Sequence, residues 1–144
     1  MTTATNTAAE LAALLRPSIL RLTRVIRNQR VDLSVTLTQL SALNTLNTRG
    51  PMGAGELAGH ERVQPPSMTK ILGALEEHGL VSRVANPNDK RQAIIAITDD
   101  GIALLQAERQ SRNEWLSQRL AALTPDERAA LQAIIPVFDK LAQL

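Results

Sequence analysis

The chain contains no cysteine, and only Trp115 and Phe138 supply aromatic rings. Without thiols there are no disulfides, no thiolate metal ligands and no thiol-based redox sensing. Their absence also suits a reducing, cytoplasmic setting. With so few rings, no stacking platform for single-stranded nucleic acid is expected. No run of 18 apolar residues occurs, so no membrane-spanning helix is expected. The opening Met-Thr-Thr-Ala-Thr-Asn-Thr lacks the basic start and long apolar centre of a secretory leader, and reads as a polar tail running into a helix. Histidine is scarce too. His60-Glu61-Arg62-Val63-Gln64 lacks the second histidine of a helical zinc motif. There is no glycine-rich phosphate loop and no Gly-x-Ser-x-Gly elbow. The adjacent acids Glu76-Glu77 and Asp99-Asp100 diverge on a helix rather than converging on one substrate. Neither enzyme chemistry nor a metal or cofactor is expected.

What is present is an ordinary globular composition of 144 residues, enough for one domain with a real core. The net charge is only +2, so any nucleic-acid binding must come from cations focused on one surface. From Ala8 to about Arg30, Leu11, Leu15, Leu22 and Ile26 recur at helical spacing, and Pro17 predicts a kink or a frayed first segment. Arg21, Arg24, Arg27 and Arg30 walk around this helix and read mostly as solvated surface. After a loop, Leu40, Leu43 and Leu46 mark a second helix, which Gly50-Pro51 stops. A short third helix over 54–60 turns Leu57 and Ala58 inward.

Pro65-Pro66 then opens a fourth helix, in positions where a missing amide costs little, and Gly79 closes it. Met68, Ile71, Leu72 and Leu75 share its core side. Opposite lie Pro66, Lys70, Gly73 and Ala74, flanked by Ser67 and Thr69. Short side chains, hydroxyls and one cation suit close approach to base edges in a major groove, and the acids Glu76 and Glu77 wait until the last turn. On this helix alone, a solvated amphipathic face fits equally well.

Two strands follow around Asn86-Pro-Asn-Asp, with Asp89, Lys90 and Arg91 at the tip. Directly after a helix-turn-helix, such a hairpin is a wing, and its arginine suits a narrow, negative minor groove. Asp89 is placed to hold the Arg91 guanidinium, or to pair with Arg83 at the hairpin base. Thr98 then caps a long helix, and Thr124-Pro-Asp-Glu is a capping box for a last one. That last helix carries Leu131, Ile134, Ile135, Phe138 and Leu141 as one stripe, with Pro136 inside it. Such stripes at both ends of a chain suit a twofold dimer.

The order of these elements resembles the MarR family of regulators across essentially the whole chain. Leu75-Glu76…Gly79-Leu80-Val81…Arg83, Asp89-x-Arg91 and Ile97-Thr98…Gly101 are the most specific matches. The resemblance implies a mainly α fold with a two- to three-stranded β wing: a winged helix-turn-helix lobe over 36–98, with dimerisation helices at 8–30 and 99–144. It implies a homodimer on double-stranded DNA, with Ser67, Thr69 and Lys70 in the major groove and Gln64 leading into the helix. Arg91 would enter the minor groove, oriented by Asp89, with Lys90 beside it. It leaves room for a small-molecule effector, whose identity no residue specifies. The competing reading is a winged-helix protein-interaction module without DNA; a basic wing tip beside an acid-free helix face argues against it.

Overall fold

The computed structural model describes residues 6–143. The order is α1 (Ala8–Arg27), α2 (Leu37–Arg49), β1 (Met52–Gly53), α3 (Ala54–Glu61), α4 (Pro65–Glu77), β2 (Val81–Asn86), β3 (Asp89–Ile97), α5 (Asp99–Ala121) and α6 (Pro125–Gln143). The fold is mainly helical with one small antiparallel sheet in the order β1-β3-β2. The third strand, β1, is only two residues long and pairs Met52 with Ile95. The first five residues of the expected polar tail lie outside the described residues.

Local chemistry sets the helix ends. Thr7 and Glu10, Thr36 and Gln39, and Thr124 and Glu127 each form the reciprocal pair in which a threonine oxygen accepts from the third helical amide and the longer side chain returns to the cap amide. With Thr7 capping it, α1 is not frayed before Pro17; it runs through the proline and stops at Arg27, short of Arg30. Gly79, at φ +69, lets the Leu80 amide reach back to the Leu75 carbonyl, which ends α4 and turns the chain into the wing.

Two compact units result, Arg30–Gln110 and the flanking chain up to Gln29 and from Ser111. The first holds the buried core: Leu40, Leu43 and Leu46 of α2, Leu57 of α3, Met68, Leu72 and Leu75 of α4, Val81 and Ile95 of the sheet, and Leu105 of α5. Gly101 is buried because there is no room for a side chain: a Cβ there would collide with the Leu80 carbonyl oxygen and lie 2.7 Å from Ile97 Cγ1. The second unit is different. Neither α1 nor α6 buries a single residue fully.

Within Arg30–Gln110, one acid sits where an apolar residue would be expected. Glu108 is 1% exposed; its Oε2 accepts from the Val31 amide at 3.1 Å and its Oε1 from the Asp32 amide at 3.2 Å. Arg30 Nε lies 3.5 Å from the same carboxylate, and its Nη2 donates to the carbonyls of Asp32 and Val35. Arg30 is therefore not the solvated surface arginine expected from its spacing. Two side chains satisfy the backbone of an irregular segment that leads into α2. Ser34, donating through its hydroxyl and its amide to Asp32 Oδ1, tightens the segment further and holds that carboxyl below its ordinary value.

Candidate nucleic-acid interface

The α3–α4 connection is three residues long and pivots on Arg62, whose backbone is left-handed at φ 55. Glu61, at the end of α3, accepts hydroxyl bonds from Ser41 and Thr45 of α2, so α2 anchors the start of the turn. Gln64 caps α4 in extended conformation and the two prolines occupy its first turn. Burial of Met68, Leu72 and Leu75 then dictates what the helix shows outward. Gln64, Pro66, Ser67, Thr69 and Lys70 are all exposed, whereas Gly73 and Ala74 are half-covered. The open face is thus narrower than the helical wheel suggests, and confined to the first half of α4. It carries no acid. The Thr69 hydroxyl donates to the Pro65 carbonyl at 3.1 Å, which leaves its oxygen available chiefly as an acceptor.

In the hairpin, β2 and β3 pair in regular register from Val81↔Ile97 to Ala85↔Ala93, and then the register slips to Asn86↔Asp89. One step on β2 is matched by four on β3. Lys90, Arg91 and Gln92 therefore have no partner on β2 and bulge from the sheet as a basic tip. Two side chains shape it: Asn86 Oδ1 accepts from the Asn88 amide and Asp89 Oδ1 from the Arg91 amide, both at 3.0 Å. Neither sequence expectation for Asp89 matches these contacts. It holds the backbone of Arg91 rather than the guanidinium, because a side chain two residues back closes a tight turn more readily than it reaches a long arginine head. Arg83 pairs instead with Glu76 at the end of α4. Neither that tie nor Arg30–Glu108 follows from residue spacing. Among the described residues Lys70, Lys90 and Arg91 enter no ion pair.

Comparison with known proteins decides what this arrangement is. Residues 35–93, from the lead into α2 to β3, the middle strand of the sheet, match the family model "MarR family". An uncharacterized HTH-type transcriptional regulator of Mycobacterium bovis is 42% identical over 125 residues, covering 87% of each chain. The multiple antibiotic resistance protein MarR of Salmonella typhimurium is 32% identical over 78% of each. The chain belongs to the MarR family. Its fold agrees: the crystal structure of a protein from Pseudomonas aeruginosa assigned as a transcriptional regulator matches 97% of this chain and 99% of its own, with a TM-score of 0.83 and 34% identity. This MarR-family chain is accordingly a winged helix-turn-helix transcriptional regulator of the DNA-binding type. Among the described residues no helix is long and apolar enough to cross a membrane, and no cluster of three or more metal-ligating side chains occurs.

Proposed function

We propose that the chain is a sequence-specific repressor that binds a pseudo-palindromic operator as a homodimer, with α4 in the major groove and the β2–β3 wing in the adjacent minor groove. The observation that carries this reading is the bulged Lys90-Arg91-Gln92 tip, unpaired on β2 and outside any ion pair among the described residues, in one unit with the acid-free face of α4. Gln64, Pro66, Ser67, Thr69 and Lys70 supply the major-groove face. Lys70 reaches a guanine edge or a phosphate, the Ser67 hydroxyl donates to either, the Thr69 oxygen accepts from a base amino group, and Pro66 packs without competing for donors. Arg91, with Lys90 beside it, meets the negative potential of a narrow minor groove, and Asp89 fixes the turn that presents it. Two such lobes related by a twofold axis read half-sites about 10 bp apart, and the bound dimer blocks transcription by occupancy. A small ligand that changes the separation of the two lobes would release it.

Selection of bound duplexes from a random pool by the full chain tests this. The expected product is a pseudo-palindrome with half-sites about one helical turn apart and A·T-rich flanks under the wings. Recovery of no preferred sequence, with binding that does not weaken as salt is raised, would instead favour a protein-interaction module.

A further inference from the structure

The Glu76–Arg83 pair lies outside the DNA-facing surfaces just described, yet it joins them. Glu76 stands in the last turn of α4, and Arg83 is the third residue of β2. Arg83 Nε donates to Glu76 Oε1, so an ion pair adds a side-chain tie between the end of the reading helix and the first strand of the wing. Arg83 also lines a cleft of about 570 Å³ together with Asn86, Arg91 and Gln92 of the hairpin and Gly53 and Glu56 at the start of α3. Two arginines and one acid, Glu56, therefore line one cleft, and Glu56 enters no ion pair among the described residues. Like charges there repel each other and compete for the same anions unless one is neutralised. Glu76 neutralises Arg83 and leaves Arg91 as the uncommitted cation.

From this geometry we infer that Glu76 and Arg83 are a positioning pair: they fix the wing against α4 and keep Arg83 out of the phosphate contacts, so that the spacing between Lys70 and Arg91 is set before DNA arrives. The inference rests on the DNA reading proposed above. The pair is half-exposed, with side-chain exposures of 44% for Arg83 and 32% for Glu76. An exposed pair of this kind contributes little to folding, so its removal leaves the lobe folded. Its effect belongs to preorganisation, where a fixed binding geometry removes the cost of ordering two separate contacts on the DNA.

The test is a double-mutant cycle on the full chain with R83Q, E76Q and the double variant, with operator and random duplex titrated across a salt series. R83Q is expected to weaken operator binding about threefold to tenfold while the slope of log affinity against log salt stays that of the wild type, because no phosphate contact is lost. E76Q is expected to lose discrimination by a similar factor, and the double variant to lose no more than either alone. R83K, which keeps the charge opposite Glu76, should recover most of the affinity. A slope that falls by about one unit in R83Q would make Arg83 a phosphate contact and overturn the inference, as would fully additive losses or unchanged operator binding in both single variants. A wild-type slope near zero overturns the DNA reading as well; a steep wild-type slope with any of those three outcomes overturns this inference alone.

Discussion

At Asp89 the chemistry of a single oxygen atom separates two roles that the sequence cannot tell apart. A carboxylate that orients the Arg91 guanidinium must keep its charge; one that caps the Arg91 amide needs only an acceptor in the Oδ1 position. Asparagine supplies that acceptor. D89N is therefore expected to bind operator at least as tightly as the wild type, since it also removes a negative charge near phosphate, whereas D89A loosens the tip and weakens binding. R91A should cost about 1–3 kcal/mol of operator affinity, most strongly at A·T-rich flanks. Gel-shift titration of the three variants side by side decides the matter: a D89N loss as large as that of D89A restores the charge-orienting role. Gly101 makes a different demand, for space. A methyl group there runs into the Leu80 carbonyl, which already accepts from the Thr98 amide, so neither can yield without opening the start of α5. Alanine brings a helix-propensity gain of about 1 kcal/mol. Overpacking of this type costs about 1–3 kcal/mol, more when the obstacle is backbone. G101A should therefore lower the denaturation midpoint despite the better helix former, and an unchanged or raised midpoint would refute the close approach.

Among the elements, α5 shows how far the sequence can be read. Its cap at Thr98 and its acidic first turn are plain in the residue order, as are the capping box at Thr124, the prolines opening α4 and the turn residues of the wing, because each depends on neighbours a few positions away. Glu108 is a long-range matter. It follows Gly101 and Leu105 at core-facing spacing, so an acid on a buried stripe was the available signal. Its partners, however, lie more than seventy residues earlier, in a segment with no periodicity of its own. For the same reason the Glu76–Arg83 tie and the amide contact of Asp89 were out of reach: residue types and spacing propose partners, while only the turn geometry chooses among them. β1 is foreshadowed only by the family resemblance, which allows a third strand, since two residues carry no alternation to detect. The buried network carries a stability prediction. Removing one member of a buried pair leaves the other charge without compensation, at a cost of about 3–5 kcal/mol. E108A additionally frees two backbone amides, so chemical denaturation should show a loss in that range, with E108Q losing less because its oxygen still accepts from one of them. A loss below about 1 kcal/mol for E108A would show that water takes over these groups and that the segment does not depend on the carboxylate.

For the molecule as a whole, charge and apolar surface are distributed in opposite ways. The unit that carries the side chains proposed to face DNA, Arg30–Gln110, holds nine acidic against eight basic residues, so any attraction to DNA cannot be a bulk effect. On the proposed reading it would rest on where a few cations stand, and an isolated lobe with so few phosphate contacts would bind weakly. The flanking unit leaves a large apolar surface in water. Leu14 is 64% exposed, Ile135 56% and Phe138 38%, and Leu11, Leu22, Leu131 and Leu141 are open beside them on α1 and α6. A surface of that kind is unfavourable for a solitary copy and favourable for a symmetric pair, since the same stripes meet themselves across a twofold axis. Pairing would also supply what one lobe lacks: the second half-site then binds as an intramolecular event, with a gain of about 10²–10⁴ in apparent affinity and no new contact. Aspartate at both Ile135 and Phe138 places charge in the stripe while leaving the core of Arg30–Gln110 untouched. The double variant is expected to sediment as a monomer, to keep its helical circular dichroism, and to lose operator affinity by about a hundredfold or more. Light scattering of the wild type should give twice the chain mass of 15.6 kDa. A monomeric wild type that nonetheless binds a full operator tightly would break the link between the exposed stripes and DNA recognition.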